Sequence, residues 1–219
     1  MSKAKEEKER FPKKPILPTK GNLKVIQINE LTHDASFENI LFENLELPSS
    51  EADDVSVYSS IIKSIDLSNS VLKGFNLNDV EAEKINLANA DLEGSNLDRV
   101  VMAGSRLTGL KFVGARARDV VFKNCKLDLS NFRFSKLKDV RFENCILTDA
   151  DFAGGELENM TFSESDLTNV DFSQAKMKKI DVSDSKIEGI KITPEQLKGL
   201  IIGYSQTVYI VRLMGITVR

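Results

Sequence analysis

From Phe37 to Ile202 the bulky apolar residues fall on one series with a step of five. It reads Leu67, Leu72, Leu77, then Leu87, Leu92, Leu97, Met102, Leu107 and Phe112. It continues Phe122, Leu127, Phe132, Leu137, Phe142, Leu147, Phe152, Leu157, Phe162, Leu167 and Phe172, with Ala52, Ala82 and Ala117 as its small members. A helix repeats every 3.6 residues and a strand every two, so neither produces a step of five. A short sustained period indicates a solenoid, in which each repeat buries its apolar side only against its neighbours. Two residues before the bulky position stands a small or β-branched residue (Ser95, Val100, Ser105, Ala115, Val120, Cys125, Ser130). Two after it, Gly, Asn and Asp recur (Gly94, Gly104, Gly109, Asp119, Asn124). Those three residues tolerate the dihedral angles of tight turns. One unit is therefore small-in, polar-out, large-in, polar-out, turn.

At twenty residues per coil the columns become homogeneous. Phe122, Phe142 and Phe162 share one column, and Phe112, Phe132, Phe152 and Phe172 the opposite one. Val80, Val100, Val120, Val140, Met160 and Ile180 form a third, inward column. Parallel strands about 4.8 Å apart would stack like side chains into ladders, and seven such coils make a rod roughly 34 Å long.

The runs NLANADLEGSNL (86–97) and SDLTNVDFSQAKM (165–177) resemble the pentapeptide-repeat family, and Ala90-Asp91-Leu92 matches its A(D/N)L motif directly. The resemblance covers residues 55–192 strongly and 35–54 weakly. It implies an all-β solenoid, a right-handed quadrilateral β-helix with four pentapeptides per coil. It specifies the fold far better than the function, because function resides in sites.

Four segments are expected. Residues 1–24 are charged, carry Pro12, Pro15 and Pro18, and read as a disordered tail. Residues 25–54 form an N-terminal cap and weak first coils, with 48–54 either a coil or a loop that preserves register. Residues 55–192 form the β-helix, and 193–219 a short helical cap. Thr193-Pro194-Glu195-Gln196 predicts a helix start, Ser205 to about Met214 a second helix, and Ile216–Val218 a last strand. Leu213-Met214-Gly215-Ile216 resembles the C-terminal cap of the quinolone-resistance, gyrase-interacting pentapeptide proteins, in which that end also makes the dimer. That resemblance implies a homodimer, with Tyr204, Tyr209, Ile210 and Leu213 as its interface.

The chemistry is sparse. The single histidine, His33, has no second histidine or cysteine near it in sequence, so no metal is expected. No phosphate-binding glycine loop or nucleophile elbow is present, and no cofactor is expected. Cys125 and Cys145 stand one coil apart in the small inward slot and read as compact core residues rather than a redox pair. The chain therefore reads as non-enzymatic. With no apolar leader or span, the cytosol is the expected compartment.

Charge is banded along the rod. Residues 51–98 hold ten acids and three bases, 100–141 ten bases and three acids, and 142–173 eight acids and no base. Part of this belongs to pairing between coils: Asp91 with Lys111, Asp98 with Arg118, Lys123 with Glu143, Lys136 with Glu156, Lys138 with Glu158. Arg116 over Lys136 and Arg106 over Lys126 are repulsive. Leu129 and Phe134 occupy turn slots where Gly, Asn or Asp is usual. Phe134 turns the corner onto a face carrying Arg116, Arg118, Lys136 and Lys138, with Arg133 beside it. An aromatic framed by arginines is the composition of a binding hot spot. The expected function is a rod that binds a protein partner through Arg116, Arg118, Leu129, Arg133, Phe134, Lys136 and Lys138. The alternative, implied by the resemblance, is a DNA mimic acting on a type II topoisomerase such as gyrase, for which a continuous acidic face would be needed. Direct nucleic-acid binding is disfavoured by the net charge of −3.

Overall fold

The computed structural model describes residues 12–219. Its strands are β1 (Lys24–Ile26), β2 (Ser36–Glu38), β3 (Ile40–Glu46), β4 (Ser56–Asp66), β5 (Asn76–Glu83), β6 (Asn96–Ala103), β7 (Arg116–Lys123), β8 (Lys136–Glu143), β9 (Glu156–Ser163), β10 (Lys176–Asp181) and β11 (Leu200–Ile201). All pair in parallel in one sheet that winds into a solenoid of about nine turns. From β2 to β11 the register step is twenty residues, so Val80, Val100, Val120, Val140, Met160 and Ile180 lie directly over one another. The first turn is tighter: Lys24 pairs with Ile40, a step of sixteen. Residues 48–54 form a coil in register, because Ala52 is buried, Glu51 bridges to Val71, and Ser49 and Asp54 turn corners with positive φ.

The coil of residues 116–135 defines four faces. The first presents Arg116 and Arg118, the second Val121 and Lys123, the third Lys126 and Asp128, the fourth Asn131 and Arg133. Asp119, Asn124, Leu129 and Phe134 turn the corners at φ between 53° and 59°. Asp and Asn accept that left-handed backbone through local hydrogen bonding; for other L-residues it costs roughly 1–2 kcal/mol. β5 to β9 run through the first and second faces. The third and fourth are joined by isolated bridges such as Lys126 to Ile146 and Asn131 to Asp151.

The expected ladders fill the interior. Phe122, Phe142 and Phe162 stack at 4.9 Å with rings nearly parallel, and Phe132 stacks on Phe152 at 4.7 Å. Phe112 departs from the ladder by meeting Phe132 edge-on, at 70°. The two ladders meet edge to face at 6.2–6.3 Å. Each such buried ring contributes roughly 1.5–3 kcal/mol, which lets a rod without a wide core be stable. Cys125 and Cys145 are buried free thiols, Cys125 donating to the Lys123 carbonyl and Cys145 to that of Phe122. Contact with Cys125, together with burial, pushes the Cys145 thiol up.

Both ends differ from expectation. Of the predicted tail, residues 1–11 lie outside the described residues. Residues 12–24 are ordered against the rod: Lys13 N–H donates to Asp119 and Ile16 N–H to Asp79, and Lys24 begins β1. At the other end, the first predicted helix is one turn of 3-10 helix, Gln196–Gly199, followed by β11. The second is a 3-10 turn, Tyr204–Gln206, leading into α1 (Thr207–Leu213). Residues 216–218 form no strand. The reason is the need to finish the coil's own hydrogen bonds. Gln196 donates to the carbonyls of Phe172 and Ala175 and accepts from Thr193 N–H. Gln206 repeats this ten residues on, donating to Val182 and Ser185 and accepting from Gly203 N–H. Two buried glutamine side chains thus stand in for the missing next coil, and a continuous helix over either segment would withdraw them.

Candidate partner-binding surface

Phe134 stands at the corner between the fourth and first faces with 57% of its surface exposed. The corner holds φ at 58°, so the backbone is in the left-handed region with a bulky side chain on it. Its ring lies against Gly154 of the next coil. The Arg133 guanidinium sits 5.3 Å from the ring centroid and donates to Asp151 at 3.1 Å. The aromatic is thus held in one orientation from beneath and from one side.

The first face carries a ladder of charges. All five expected inter-coil pairs form, three of them on this face, Arg118–Asp98 at 2.8 Å, Lys138–Glu158 at 2.9 Å and Lys136–Glu156 at 3.2 Å, with Lys123–Glu143 at 3.7 Å on the second face and Lys111–Asp91 at 3.8 Å on the fourth. Glu156 also meets Lys176, and Glu158 meets Lys178, so each glutamate is held between two lysines. Hydrogen bonds from Lys178 and Lys138 hold the Glu158 carboxyl down, to about 2. Arg116 stacks on Lys136 and has no ion pair among the described residues. The open groove along this face is lined by six cations (Arg116, Arg118, Lys136, Lys138, Lys176, Lys178) and three anions (Asp98, Glu156, Glu158), an excess of three positive charges.

Leu129 is 61% exposed but sits one corner away, beside half-exposed Ile146 in a separate groove with Arg106, Lys126 and Thr148. The structure therefore brings Arg116, Arg118, Lys136 and Lys138 onto one face, sets Phe134 and Arg133 along its edge, and leaves Leu129 apart. Sequence reasoning missed the docked segment over the Asp79, Arg99 and Asp119 corner. The available signal was the three-residue spacing of Pro12, Pro15 and Pro18.

At the C-terminal end, Tyr204 is 97% exposed and Leu213 is exposed. Ile210 is buried in the core, and the Tyr209 hydroxyl accepts the Gly189 N–H at 2.6 Å. Ile210 is therefore not available to a second chain; it closes the end of the solenoid. Among the described residues no helix is long and apolar enough to cross a membrane. None of them gather as three or more His, Cys, Asp or Glu able to hold a metal ion.

Residues 95–172 match the family model described as "Pentapeptide repeat region". Those central coils of the solenoid are a pentapeptide-repeat region. Among solved structures the chain is similar to a trypsin-treated form of QnrB1, described as a plasmid-mediated fluoroquinolone resistance protein. Identity is 16%, coverage 86% of this chain and all of that one, and the TM-score 0.52. It also matches HetL, involved in heterocyst differentiation regulation in the cyanobacterium Nostoc sp. strain PCC 7120. There the identity is 18%, the coverage 78% and 91%, and the TM-score 0.42. At these identities the likeness concerns the fold. No curated protein matches the sequence.

Proposed function

We propose that this protein is a non-enzymatic cytosolic rod that binds an acidic protein partner along the edge between its fourth and first faces, with Phe134 as the anchor. The observation that carries this reading is an exposed aromatic ring kept in a costly backbone conformation, where the neighbouring coils use glycine at Gly114 and Gly154. A surface residue that costs stability and is held rigid resembles a binding anchor more than a packing group. Most bases nearby are already paired, so their role is to set the sign of the face and the association rate, while the ring supplies the binding energy. Arg116, without an ion pair, is the cation best placed to meet a partner's carboxylate. The exposed apolar end around Tyr204 and Leu213 supports a homodimer.

The competing reading is DNA mimicry directed at gyrase, prompted by the likeness to QnrB1 in fold. It needs an unbroken acidic column. The column through Asp91, Asp151 and Asp171 is interrupted by Lys111 and Asn131, and Asp91 and Asp171 pair with Lys111 and Lys191. The two readings separate in one experiment. Affinity capture from native cytosol and a gyrase supercoiling assay are run with the wild type, Phe134→Asn and Asp151→Asn/Asp171→Asn. Partner capture lost only in Phe134→Asn supports the anchor. Gyrase inhibition by the wild type that disappears only in the aspartate variant would reject it in favour of DNA mimicry.

A further inference from the structure

The corner between the first and second faces differs from the other three. At the others the turn residues are mostly exposed, as at Asn124, Leu129, Phe134, Asn144 and Asp149. Here Asp79 is 7% and Asp119 2% exposed, although both occupy turn positions on the outside of the coil. Asp139, one coil beyond, is 2% exposed as well, and Asp79 and Asp119 both meet this chain's own segment Pro12–Pro18, whose two donors stand over turn positions two coils apart, so that it runs along the rod axis, across the strands. The carboxylate of Asp119 accepts Lys13 N–H at 2.9 Å, and that of Asp79 accepts Ile16 N–H at 2.8 Å. Arg99, in the coil between, is turned away from this task. It grips Asp79 with two bonds of 2.6 and 2.7 Å and also reaches Asn78 and Asp98, which fixes the Asp79 carboxylate in place.

The spacing explains why a proline-rich segment fits. Prolines at every third position hold the chain extended, and the residue before each is pushed the same way. An extended polyproline II chain advances about 3.1 Å per residue, or roughly 9.3 Å per three residues. Two coils of the solenoid advance roughly 9.6 Å. Lys13 to Ile16 is three residues, and Asp119 to Asp79 is two coils. Each donor follows a proline, Pro12 or Pro15, so the residue without an N–H and the residue that gives one alternate in step with the corner. Hydrogen bonds to charged acceptors are the strong kind, and here they are part-buried.

We propose that the Asp79–Arg99–Asp119 corner is a docking groove for extended Pro-x-x-Pro peptides, and that residues 12–18 are its ligand in cis, exchangeable for a partner segment of the same chemistry. The groove recognises backbone donors three residues apart, which a proline-punctuated peptide presents already extended, with little ordering left to do. It is independent of the Phe134 site and can fail or stand without it.

The test uses the full chain and a labelled synthetic peptide of residues 11–19, read by fluorescence anisotropy. In Lys13→Pro/Ile16→Pro both cis donors are gone while the segment stays extended. The peptide is expected to bind this variant saturably, at least about tenfold tighter than the wild type, whose tethered segment competes at high effective concentration. Adding Asp119→Gly, which keeps the positive φ and removes the acceptor, is expected to weaken binding about tenfold. A peptide with the same residues and its prolines moved out of the three-residue spacing is expected not to bind. Equal binding to wild type and variant, binding indifferent to Asp119→Gly, or no saturable binding would overturn the proposal. Should the double variant lose its β signal, hydrogen exchange on the intact protein decides. The Lys13 amide is expected to lose protection in Asp119→Gly and, in the wild type, on adding unlabelled peptide. Unchanged protection in the wild type with peptide would leave a fixed cis strap and no exchangeable site. A wild-type dimer that the peptide dissociates would assign the groove to a second copy and overturn the cis arrangement.

Discussion

The ring of Phe134 lies over the backbone of Gly154, one coil on, so closely that a β-carbon at Gly154 would stand 2.6 Å from its Cε1. Gly154 itself has φ +69°, and both positions are therefore constrained by backbone and by each other. Phe134→Asn puts a residue that tolerates left-handed backbone at the corner. It is expected to leave stability within about 1 kcal/mol or to raise it, since it relieves roughly 1–2 kcal/mol of strain and loses only a surface contact. Gly154→Ala should cost about 1–2 kcal/mol and lift the ring from its seat, so that partner capture falls with it. Denaturant melts decide. A loss above about 2 kcal/mol in Phe134→Asn would make the ring a packing group and remove the basis of the proposed anchor.

Phe142 is fully buried between Phe122 and Phe162, 4.9 Å from each. Truncation leaves a gap that two stacked rings cannot close, so Phe142→Ala is expected to cost about 3–5 kcal/mol. Arg106 stacks on Lys126 and forms no ion pair among the described residues. Arg106→Ala is accordingly expected within about 0.5 kcal/mol of wild type. Equal losses in urea melts would refute the division into inward and outward columns.

The interior was legible because each inward position repeats the same demand in every coil. Val100, Val120 and Val140 must stack, as must Phe122, Phe142 and Phe162, and twenty-residue spacing in the sequence is vertical spacing in the rod. Pairs such as Arg118–Asp98 followed from the same arithmetic. The ends were less legible because their interactions occur once. Gln206 caps the coil through Val182 and Ser185, and nothing in its neighbours repeats to announce it. The docking of Lys13 and Ile16 depends on a match between polyproline rise and coil rise, which no hydrophobic pattern encodes; composition alone made residues 12–24 read as disordered. Likewise Ile210 looks like surface on a seven-residue helix until the helix is seen lying over the open end of the core.

Acid should destabilise the rod through its inter-coil pairs. Glu158 titrates near 2 in the folded chain, against an ordinary glutamate value of 4.5, because Lys178 and Lys138 hydrogen-bond to it. The Arg99 guanidinium, aided by Ile16 N–H, likewise holds Asp79 below the usual carboxylate range. A depressed folded value means that the unfolded chain binds the proton more readily. The stabilisation is therefore complete above about 4.5 and is lost as pH falls toward about 2. Thermal midpoints are expected to fall across that window, and Glu158→Gln to make the fall shallower. Because Glu158 is partly exposed, raising the salt concentration should shrink the difference between the two proteins. A wild-type midpoint flat from 4.5 to 2 would contradict the pairing.

The C-terminal end presents Tyr204, Val208, Leu213, Met214 and Ile216 to solvent on and around one short helix. Five large apolar residues exposed within thirteen positions are more than a cap requires, and clustered apolar exposure is a mark of an association site. A homodimer through this end is expected, with isologous contacts. Tyr204→Asp/Leu213→Asp places charge on two exposed residues that lie outside the buried core. It should give a monomer with an unchanged β signal and unchanged melting, since solenoid coils depend only on neighbours. Tyr209→Asp should behave differently. It removes the acceptor for Gly189 N–H and disturbs the helix that seats Ile210, so it should lower stability as well as association. Sedimentation and melting of the two variants separate interface from cap, and a wild type that remains monomeric at high micromolar concentration would rule the interface out.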